Sequence, residues 1–349
     1  MEKPSKRPNH FVLACIAMVC LFILIVGITL NETRPPANFG TNVIVPVSNG
    51  ASAGTIAEEL HADHIIRSEF IFKLILTLVW GKSSIGAGDY LFIKSENVWI
   101  VTERLVHSEQ NLPAVRVTLP EGLTIGQIAP ILNSAFNSAS SSLSQISQFN
   151  QTQFLALAST SEGYLFPDTY LFSPNDSAAT IISVMKKNFN EKITSIQSNI
   201  DRFIASSTAG GFHVTQNDVV ILASIVEKEA TSTIDRRIIS GILWKRLENG
   251  QPLEVDPTLV YANLLAGQKL SNASVLTAIE LATTSPYNTY KHKGLPPTPI
   301  DNPSLDSLND VVNSTATSYW FYLNDSSGMM HYSTTYAGQL ANQAKYLGN

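Results

Sequence analysis

Two glutamates end the run Ile-Val-Glu-Lys-Glu, in a segment of the chain that is otherwise mostly apolar. At about 100° per residue, a helix over 218–230 places Glu227 on one stripe with Val219 and Ala223. Glu229 lies roughly 200° from Glu227, so the pattern predicts that it faces solvent. Burial raises the pKa of a carboxyl group, which is what an acid catalyst needs at neutral pH. Glu227 is therefore a candidate general acid, although a structural Glu that binds a buried Arg or amide fits the helix equally well.

A second pair of carboxylates, Glu162 and Asp168, stands in the motif Glu-Gly-Tyr-Leu-Phe-Pro-Asp-Thr-Tyr of residues 162–170. Aromatic rings stack on the faces of sugars, and carboxylates accept hydrogen bonds from sugar hydroxyls. The motif is typical of a sugar-binding cleft. An ordinary aromatic-rich strand and turn would show the same residues.

Downstream, Asp256-Pro-Thr is predicted to begin the helix that carries Tyr261. Asp followed by Pro is a common helix start, so a purely structural role stays open for Asp256. Two further stretches follow, Thr-Ser-Pro-Tyr-Asn-Thr-Tyr at 284–290 and Gly-Leu-Pro-Pro-Thr-Pro-Ile-Asp-Asn-Pro at 294–303. The second is rigid and has no apolar period, so we expect a cleft wall shaped by something other than core packing.

Other chemistries lack their usual residues. The seven histidines are scattered, and no Gly-rich phosphate loop or Gly-x-Ser-x-Gly motif is present. We expect neither a metal ion nor a cofactor. With 15% charged residues and a net charge of −5, the chain does not fit a nucleic-acid partner. Carboxylate chemistry on a glycan is what remains.

The N-terminal stretch Phe11–Leu30 carries no charge and is long enough to cross a bilayer. Three basic residues precede it, so the positive-inside rule keeps the N-terminus in the cytoplasm and the rest outside. The stretch exceeds the apolar part of a usual signal peptide, and no small-x-small cleavage site follows, so an uncleaved anchor is favoured. Both cysteines lie inside it, and the exported part is expected to use no disulfide or thiol chemistry.

After a linker over 31–40, a strand–turn–helix pattern recurs three times. Its strands are predicted at 43–46, 90–93 and 115–120, with helix caps at Ser52, Ser95 and Thr124. An apolar helix over 68–80 is too short to span a bilayer and fits a core helix. The elements between 41 and 107 predict a small α+β module that either binds glycan or serves packing alone.

The rest of the chain is predicted to be mainly helical, after a Ser- and Asn-rich stretch at 134–147 that is predicted to be a loose insertion or a poorly packed connection between helices. A Ser177 cap, a Thr215–Asp218 capping box and an Asn-Gly stop indicate successive helices. The predicted elements are helices at 178–190, 218–230, 236–247 and 338–347, and a hairpin over 319–333.

Taken together and in this order, the motifs resemble the MltG (YceG-like) family of endolytic murein transglycosylases. The motifs are Glu-Gly-Tyr-Leu-Phe-Pro-Asp-Thr-Tyr, Ala-Ser-Ile-Val-Glu-Lys-Glu, Asp-Pro-Thr, Ser-Pro-Tyr-Asn-Thr-Tyr and Gly-Leu-Pro-Pro. The resemblance runs from about residue 40 to the end. In the proline loop, Thr298 and Ser304 stand where the family usually has Gly.

The resemblance implies an α+β protein with a transmembrane helix at 11–30, a LysM-like subdomain at 41–112 and a mainly helical catalytic domain at 113–349 that carries the hairpin. It implies a single-pass protein of the bacterial inner membrane, with residues 1–10 inside and the catalytic domain facing the cell wall. Its implied partners are peptidoglycan strands, whose elongation it ends, and peptidoglycan synthases or divisome proteins.

For the site, the resemblance implies that Glu227 is the catalytic acid and base, and that Glu162 and Asp168 lie in the same cleft. Further substrate-binding positions that it implies are Tyr164, Asp256, Thr258, Tyr287, Asn288 and Tyr290. The reaction would cleave the bond between N-acetylmuramic acid and N-acetylglucosamine without water. A hydrolytic muramidase that uses a second carboxylate, or a non-catalytic glycan-binding scaffold for cell division, are the alternatives.

Overall fold

The computed structural model describes residues 10–81, 85–142, 149–209, 211–267 and 283–348. Helices alternate with short antiparallel strands, which confirms the predicted mixture of helix and sheet. The chain divides into two compact units. One consists mainly of residues up to Ala114, and the other mainly of residues from Val115 onward.

The first unit begins with a long apolar helix. Its elements are α1 (His10–Glu32), β1 (Val43–Val47), α2 (Ala53–Ala62), α3 (Glu69–Val79), β2 (Gly88–Phe92) and α4 (Val98–Val106). The part of α1 from Ala14 to Glu32 is long and apolar enough to cross a membrane, a test that an N-terminal signal sequence also meets.

The strands β1 and β2 pair antiparallel, with Val43 opposite Phe92. Their buried side chains pack with α2, α3 and α4 in one core. The predicted cap Ser52 accepts a hydrogen bond from Thr55 N and begins α2. The predicted cap Ser95 is wrong, because Asn97 accepts from the first backbone amides of α4 instead.

The second unit contains the remaining elements. They are β3 (Val115–Thr118), α5 (Ile125–Ser142), α6 (Gln151–Ala158), β4 (Thr169–Phe172), α7 (Ala178–Ala209), α8 (Gln216–Glu229), α9 (Thr233–Glu248), α10 (Asp256–Leu265), α11 (Leu305–Val312), β5 (Phe321–Asn324), β6 (Met330–Ser333) and α12 (Tyr336–Tyr346).

Two cores organise this unit. The β3–β4 pair packs with α5, α6 and the start of α7 in one of them. The helix α8 lies in the other, and every residue from Val219 to Val226 is buried. A helix that is apolar all round is a core helix, so the single apolar stripe predicted for α8 understates its burial. Its first side chains to regain exposure are those after Val226.

Several predicted boundaries hold and others do not. The Thr215–Asp218 capping box, the hairpin β5–β6 and the last helix are confirmed. The predicted loose connection is wrong as far as Ser142, because α5 continues to that residue; residues 143–148 lie outside the described part of the chain. Ser177 caps α7 as predicted, but the helix runs on to Ala209.

The proline loop after Gly294 departs most clearly from its prediction. Ile300 is only 3% exposed and belongs to the α8 core. Its backbone N–H donates to Ser224 Oγ of α8 at 3.0 Å. Core packing therefore shapes this part of the loop, which the absence of an apolar period had concealed.

Candidate active site

The candidate site forms where α8 leaves the core. The buried run of α8 ends at Val226, and the next three residues are Glu227, Lys228 and Glu229. Both glutamates are half-buried, and Lys228 is exposed. The end of a buried helix thus places two carboxyl groups and one amine where a ligand can reach them.

The carboxylate of Glu227 is held by the start of another helix. Its Oε2 accepts from the backbone N–H of Ser304 at 3.0 Å and from the Ser304 hydroxyl at 2.6 Å. Ser304 is the N-cap of α11, so the positive end of that helix also lies at the carboxylate. Within the described residues, Oε1 of Glu227 accepts no hydrogen bond. One oxygen is fixed and the other is left for a ligand.

A tight turn packs beside Glu227 and its neighbour. Gly122 has a φ of +71°, and a Cβ at this residue would lie 2.8 Å from Lys228 Nζ and 3.3 Å from Glu227 Cγ. Only glycine fits this close approach without displacing the Lys228 amine. Lys228 Nζ also lies 3.8 Å from Oδ2 of the fully buried Asp301. Burial raises the pKa of Asp301, and the charge of Lys228 opposes that rise.

Glu162 lies in a buried hydrogen-bond network. It accepts from Ile125 N at the start of α5, from Asn302 Nδ2 and from the Tyr261 hydroxyl, at distances of 3.1, 3.0 and 3.2 Å. Burial raises its pKa to about 7, although each of these hydrogen bonds lowers it. Glu162 therefore joins three segments of the site from inside, and its side chain is only 8% exposed.

This network predicts a pH-dependent stability. Because the pKa of Glu162 rises from 4.5 to about 7 on folding, the folded chain binds this proton more tightly than the unfolded chain does. Stability is then expected to fall as pH rises from about 5 to about 8, and Glu162→Gln is expected to reduce that slope, since Gln stays neutral. Thermal unfolding midpoints of both proteins across this range measure the effect. Equal slopes would contradict it.

The prediction that Glu229 faces solvent is wrong. It forms a hydrogen bond with Tyr322 of β5, and burial raises its pKa to about 7, with the charge of Asp256 adding to the rise. Asp256 is the first residue of α10, not its N-cap, and accepts a hydrogen bond from the Tyr290 hydroxyl. Each of the two carboxyl groups is thus held by a tyrosine.

A cavity of about 400 Å³ opens next to these carboxyl groups. The start of α5, the end of α8, the first turns of α10 and the β5 strand form its walls. Its polar lining residues are Thr124, Gln127, Lys228, Glu229, Asp256 and Asn324. Tyr261 and several aliphatic side chains complete the lining, so the cavity combines hydrogen-bonding groups with an apolar wall, as sugar sites do.

The other motif residues divide into internal and accessible ones. Thr258 and Asn288 are fully buried: Thr258 donates to Val255 O, and Asn288 donates to Thr283 O. Tyr287 is half-buried, and its ring packs edge-on against Tyr261 with centroids 5.0 Å apart.

The two remaining motif residues contact other helices. The Tyr164 hydroxyl donates to Asn217 at 2.7 Å. Asp168 accepts from Asn188 and lies 3.6 Å from Lys192, both on α7. These residues share no hydrogen-bond partner with Glu227 in the described part of the chain.

Sequence reasoning missed Ser304, Asp301 and Lys228 as parts of the site. For Ser304 a signal existed, because a Ser before Leu-Asp-Ser is a typical helix N-cap. For Asp301 and Lys228 no local pattern indicated that they meet. Among the described residues, no group of three or more His, Cys, Asp or Glu could hold a metal ion.

The chain is similar to known proteins. The model of the YceG-like family matches residues 45–345. The endolytic murein transglycosylase of Streptococcus pneumoniae serotype 2 (strain D39) is 26% identical over 340 residues, which are 90% of this chain. The chain spans 60% of that relative's length. The endolytic murein transglycosylase of Bacillus subtilis (strain 168) is 27% identical over 328 residues, covering 88% of this chain and 86% of the relative.

A solved structure is similar as well. The crystal structure of a YceG-like protein from Listeria monocytogenes superposes with a TM-score of 0.51 at 26% sequence identity. The match covers 86% of this chain and 98% of the Listeria chain.

Proposed function

Because the chain belongs to the YceG-like family, we propose that it is an endolytic murein transglycosylase. This lyase would cleave the β-1,4 bond between N-acetylmuramic acid and N-acetylglucosamine and leave a 1,6-anhydro end. The observation that carries the proposal is the half-buried Glu227, whose Oε2 is fixed by Ser304 while Oε1 accepts no hydrogen bond within the described residues.

One acid and base suffices for this reaction. Protonated Glu227 gives its proton to the glycosidic oxygen as the bond to C1 of the muramic acid breaks. The C6 hydroxyl oxygen of the same sugar then bonds to C1, and its proton passes to the Glu227 carboxylate. The anhydro ring closes, the acid is regenerated, and no water is consumed. Ser304 keeps Glu227 in one orientation through both proton transfers.

The hydrolytic alternative needs a second carboxylate, about 5–5.5 Å from the acid in retaining enzymes and about 6.5–9.5 Å in inverting ones. The three candidates from the sequence accept hydrogen bonds from other groups. Glu162 does so in its buried network, Asp168 from α7 and Asp256 from Tyr290. Glu121 is a further carboxyl group near Glu227. Burial is the largest cause that raises the pKa of Glu121, and the charge of Glu227 raises it further. The ends of the product strands separate the two reactions.

The remaining site residues are proposed to have two kinds of role. Glu162, Thr258 and Asn288 hold the cleft walls from inside, as their internal hydrogen bonds suggest. The more accessible residues are proposed to bind the glycan. They are Tyr164, Asp168, Asp256, Tyr287 and Tyr290.

We also propose the cellular setting. The apolar helix α1 anchors the chain in the cytoplasmic membrane, with the N-terminus inside and the rest on the cell-wall side. The module over 41–112 is LysM-like and precedes the catalytic domain at 113–349 in the chain. Cleavage ends the elongation of nascent glycan strands beside peptidoglycan synthases or divisome proteins.

Digestion of purified peptidoglycan tests the activity. The full-length chain in detergent micelles is incubated with the polymer, and the new strand ends are identified by mass spectrometry. We expect 1,6-anhydro-muramic ends within strands. Reducing muramic ends would show a hydrolase, and binding without any new ends would favour the scaffold.

A further inference from the structure

The cavity beside α8 contains a pair of carboxyl groups that the mechanism above does not use. Glu229 and Asp256 both line it, and they come from different helices, α8 and α10. Tyr322 forms a hydrogen bond with Glu229, and the Tyr290 hydroxyl donates to Asp256 Oδ1. Two carboxyl groups are therefore held at fixed positions in the wall of one cavity.

The two carboxyl groups also interact with each other. The negative charge of Asp256 is one of the causes that raise the pKa of Glu229. Asp256 is exposed and Glu229 is half-buried, so burial acts on Glu229 and favours its neutral form.

We propose that Glu229 keeps its proton in this cavity and donates a hydrogen bond to a hydroxyl or acetamide oxygen of a sugar bound there. A neutral carboxyl group offers one donor and one acceptor, whereas the carboxylate only accepts. The inference rests on the proposed function, since it takes an N-acetylated glycan as the occupant.

Several features of the cavity favour a sugar. Besides its polar groups, the lining includes the apolar side chains of Pro257, Val260 and Leu264, and Tyr261 supplies an aromatic ring. Lys228 lines the cavity and also packs beside Gly122, where Glu227 lies. The cavity therefore reaches Lys228, the residue that follows Glu227 in α8.

The protonation state of Glu229 depends on all the groups that face it. Burial is the largest cause of its pKa near 7, the charge of Asp256 adds to it, and the Tyr322 hydrogen bond lowers it. The other ionisable groups around the tyrosines and the cavity are Lys228, Arg246, Glu254 and Tyr290. Binding of the glycan is then expected to weaken as pH rises through about 7.

The test uses the full-length Glu227→Gln protein in detergent micelles. This variant lacks the proposed acid and therefore does not cleave its ligand. The probe is a tetrasaccharide of alternating N-acetylglucosamine and N-acetylmuramic acid without peptides, whose lactyl carboxylates stay ionised above about pH 5. Calorimetry between about pH 5.5 and about pH 8.5 measures the dissociation constant. We expect it to rise about tenfold across this range.

Three further changes in the same background identify the titrating group. Glu229→Gln keeps a neutral donor and acceptor, so its affinity is expected to stay high and lose its pH dependence. Asp256→Asn removes the charge that raises the pKa of Glu229, so the loss of affinity is expected to move to lower pH. Glu248→Gln, a change at an exposed carboxylate of α9, is the control and should behave like the parent.

The inference is overturned if Glu229→Gln retains the pH dependence of the parent, if Asp256→Asn leaves its midpoint in place, or if the tetrasaccharide does not bind. These outcomes are separate from failure of the proposed function. If wild type makes anhydro ends but the dissociation constant of the parent does not change with pH, the proposed function stands and the role of protonated Glu229 does not. The expected pH-dependent binding without cleavage by wild type would support the carboxyl pair and remove the transglycosylase.

Discussion

Replacement of Glu227 by Gln is expected to slow glycan cleavage by about 10³-fold. Gln has the same shape, and its carbonyl oxygen can accept both hydrogen bonds from Ser304. It has no proton to give to the glycosidic oxygen and cannot take one from the C6 hydroxyl. The expected loss is therefore in kcat, with little change in KM. The rate at which anhydro ends appear measures it.

A matched control is available on α7. Glu191 is an exposed carboxylate whose only ion pair among the described residues is with Lys187, one turn away. Glu191→Gln is expected to keep the full rate, because surface pairs of this kind contribute little. If Glu227→Gln keeps more than about a tenth of the rate, the acid is another group, and Glu229 on the same helix is the first to test.

Local sequence patterns predicted the elements of this fold well where neighbours in the chain determine the structure. The Thr215–Asp218 capping box and the Ser177 cap each rest on a side chain that binds a backbone amide three residues away. The hairpin β5–β6 likewise depends on a short turn. Such contacts are present in the sequence itself, so their prediction needs no tertiary information.

The two glutamates of α8 show where this reasoning ends. Helix geometry predicted different environments for Glu227 and Glu229, but both are half-buried, and it could not tell which partner each would meet. Glu227 meets Ser304, and Glu229 meets Tyr322 from a hairpin far along the chain. Burial of a carboxyl group is set by whatever packs over it, and no helical stripe contains that information.

The prediction for the proline loop failed for a related reason. Its prolines removed the periodicity that marks core residues, so Ile300 did not look like one. In the structure the loop crosses α8 through Ser224 and then starts α11 at Ser304. Asp301, between these two anchors, is fully buried. The residue that orients Glu227 thus lies in the segment whose packing the sequence concealed.

The interface between α9 and α11 is expected to be the part of the second unit whose stability is most sensitive to substitution. Asp310 on α11 is almost fully buried and accepts from Arg236 Nε at 2.8 Å and from Arg237 Nε at 2.9 Å. Asp310→Ala would leave the buried Arg236 guanidinium without its closest counter-charge. Loss of one partner from a buried ion pair costs about 3–5 kcal/mol of unfolding free energy. Urea unfolding followed by tryptophan fluorescence measures this, since Trp244 donates to Val311 O in the same interface.

Asp306 provides the matched control for Asp310. It lies on the same helix and also faces Arg236, at 3.7 Å, but its side chain is 81% exposed. Asp306→Ala is expected to cost less than about 1 kcal/mol, because water screens the pair and only the interaction with the helix dipole is lost. Because α11 begins at Ser304, Asp310→Ala should also slow cleavage at temperatures where the chain stays folded. Equal losses of stability in the two variants would mean that burial of the ion pair does not hold α11 in place.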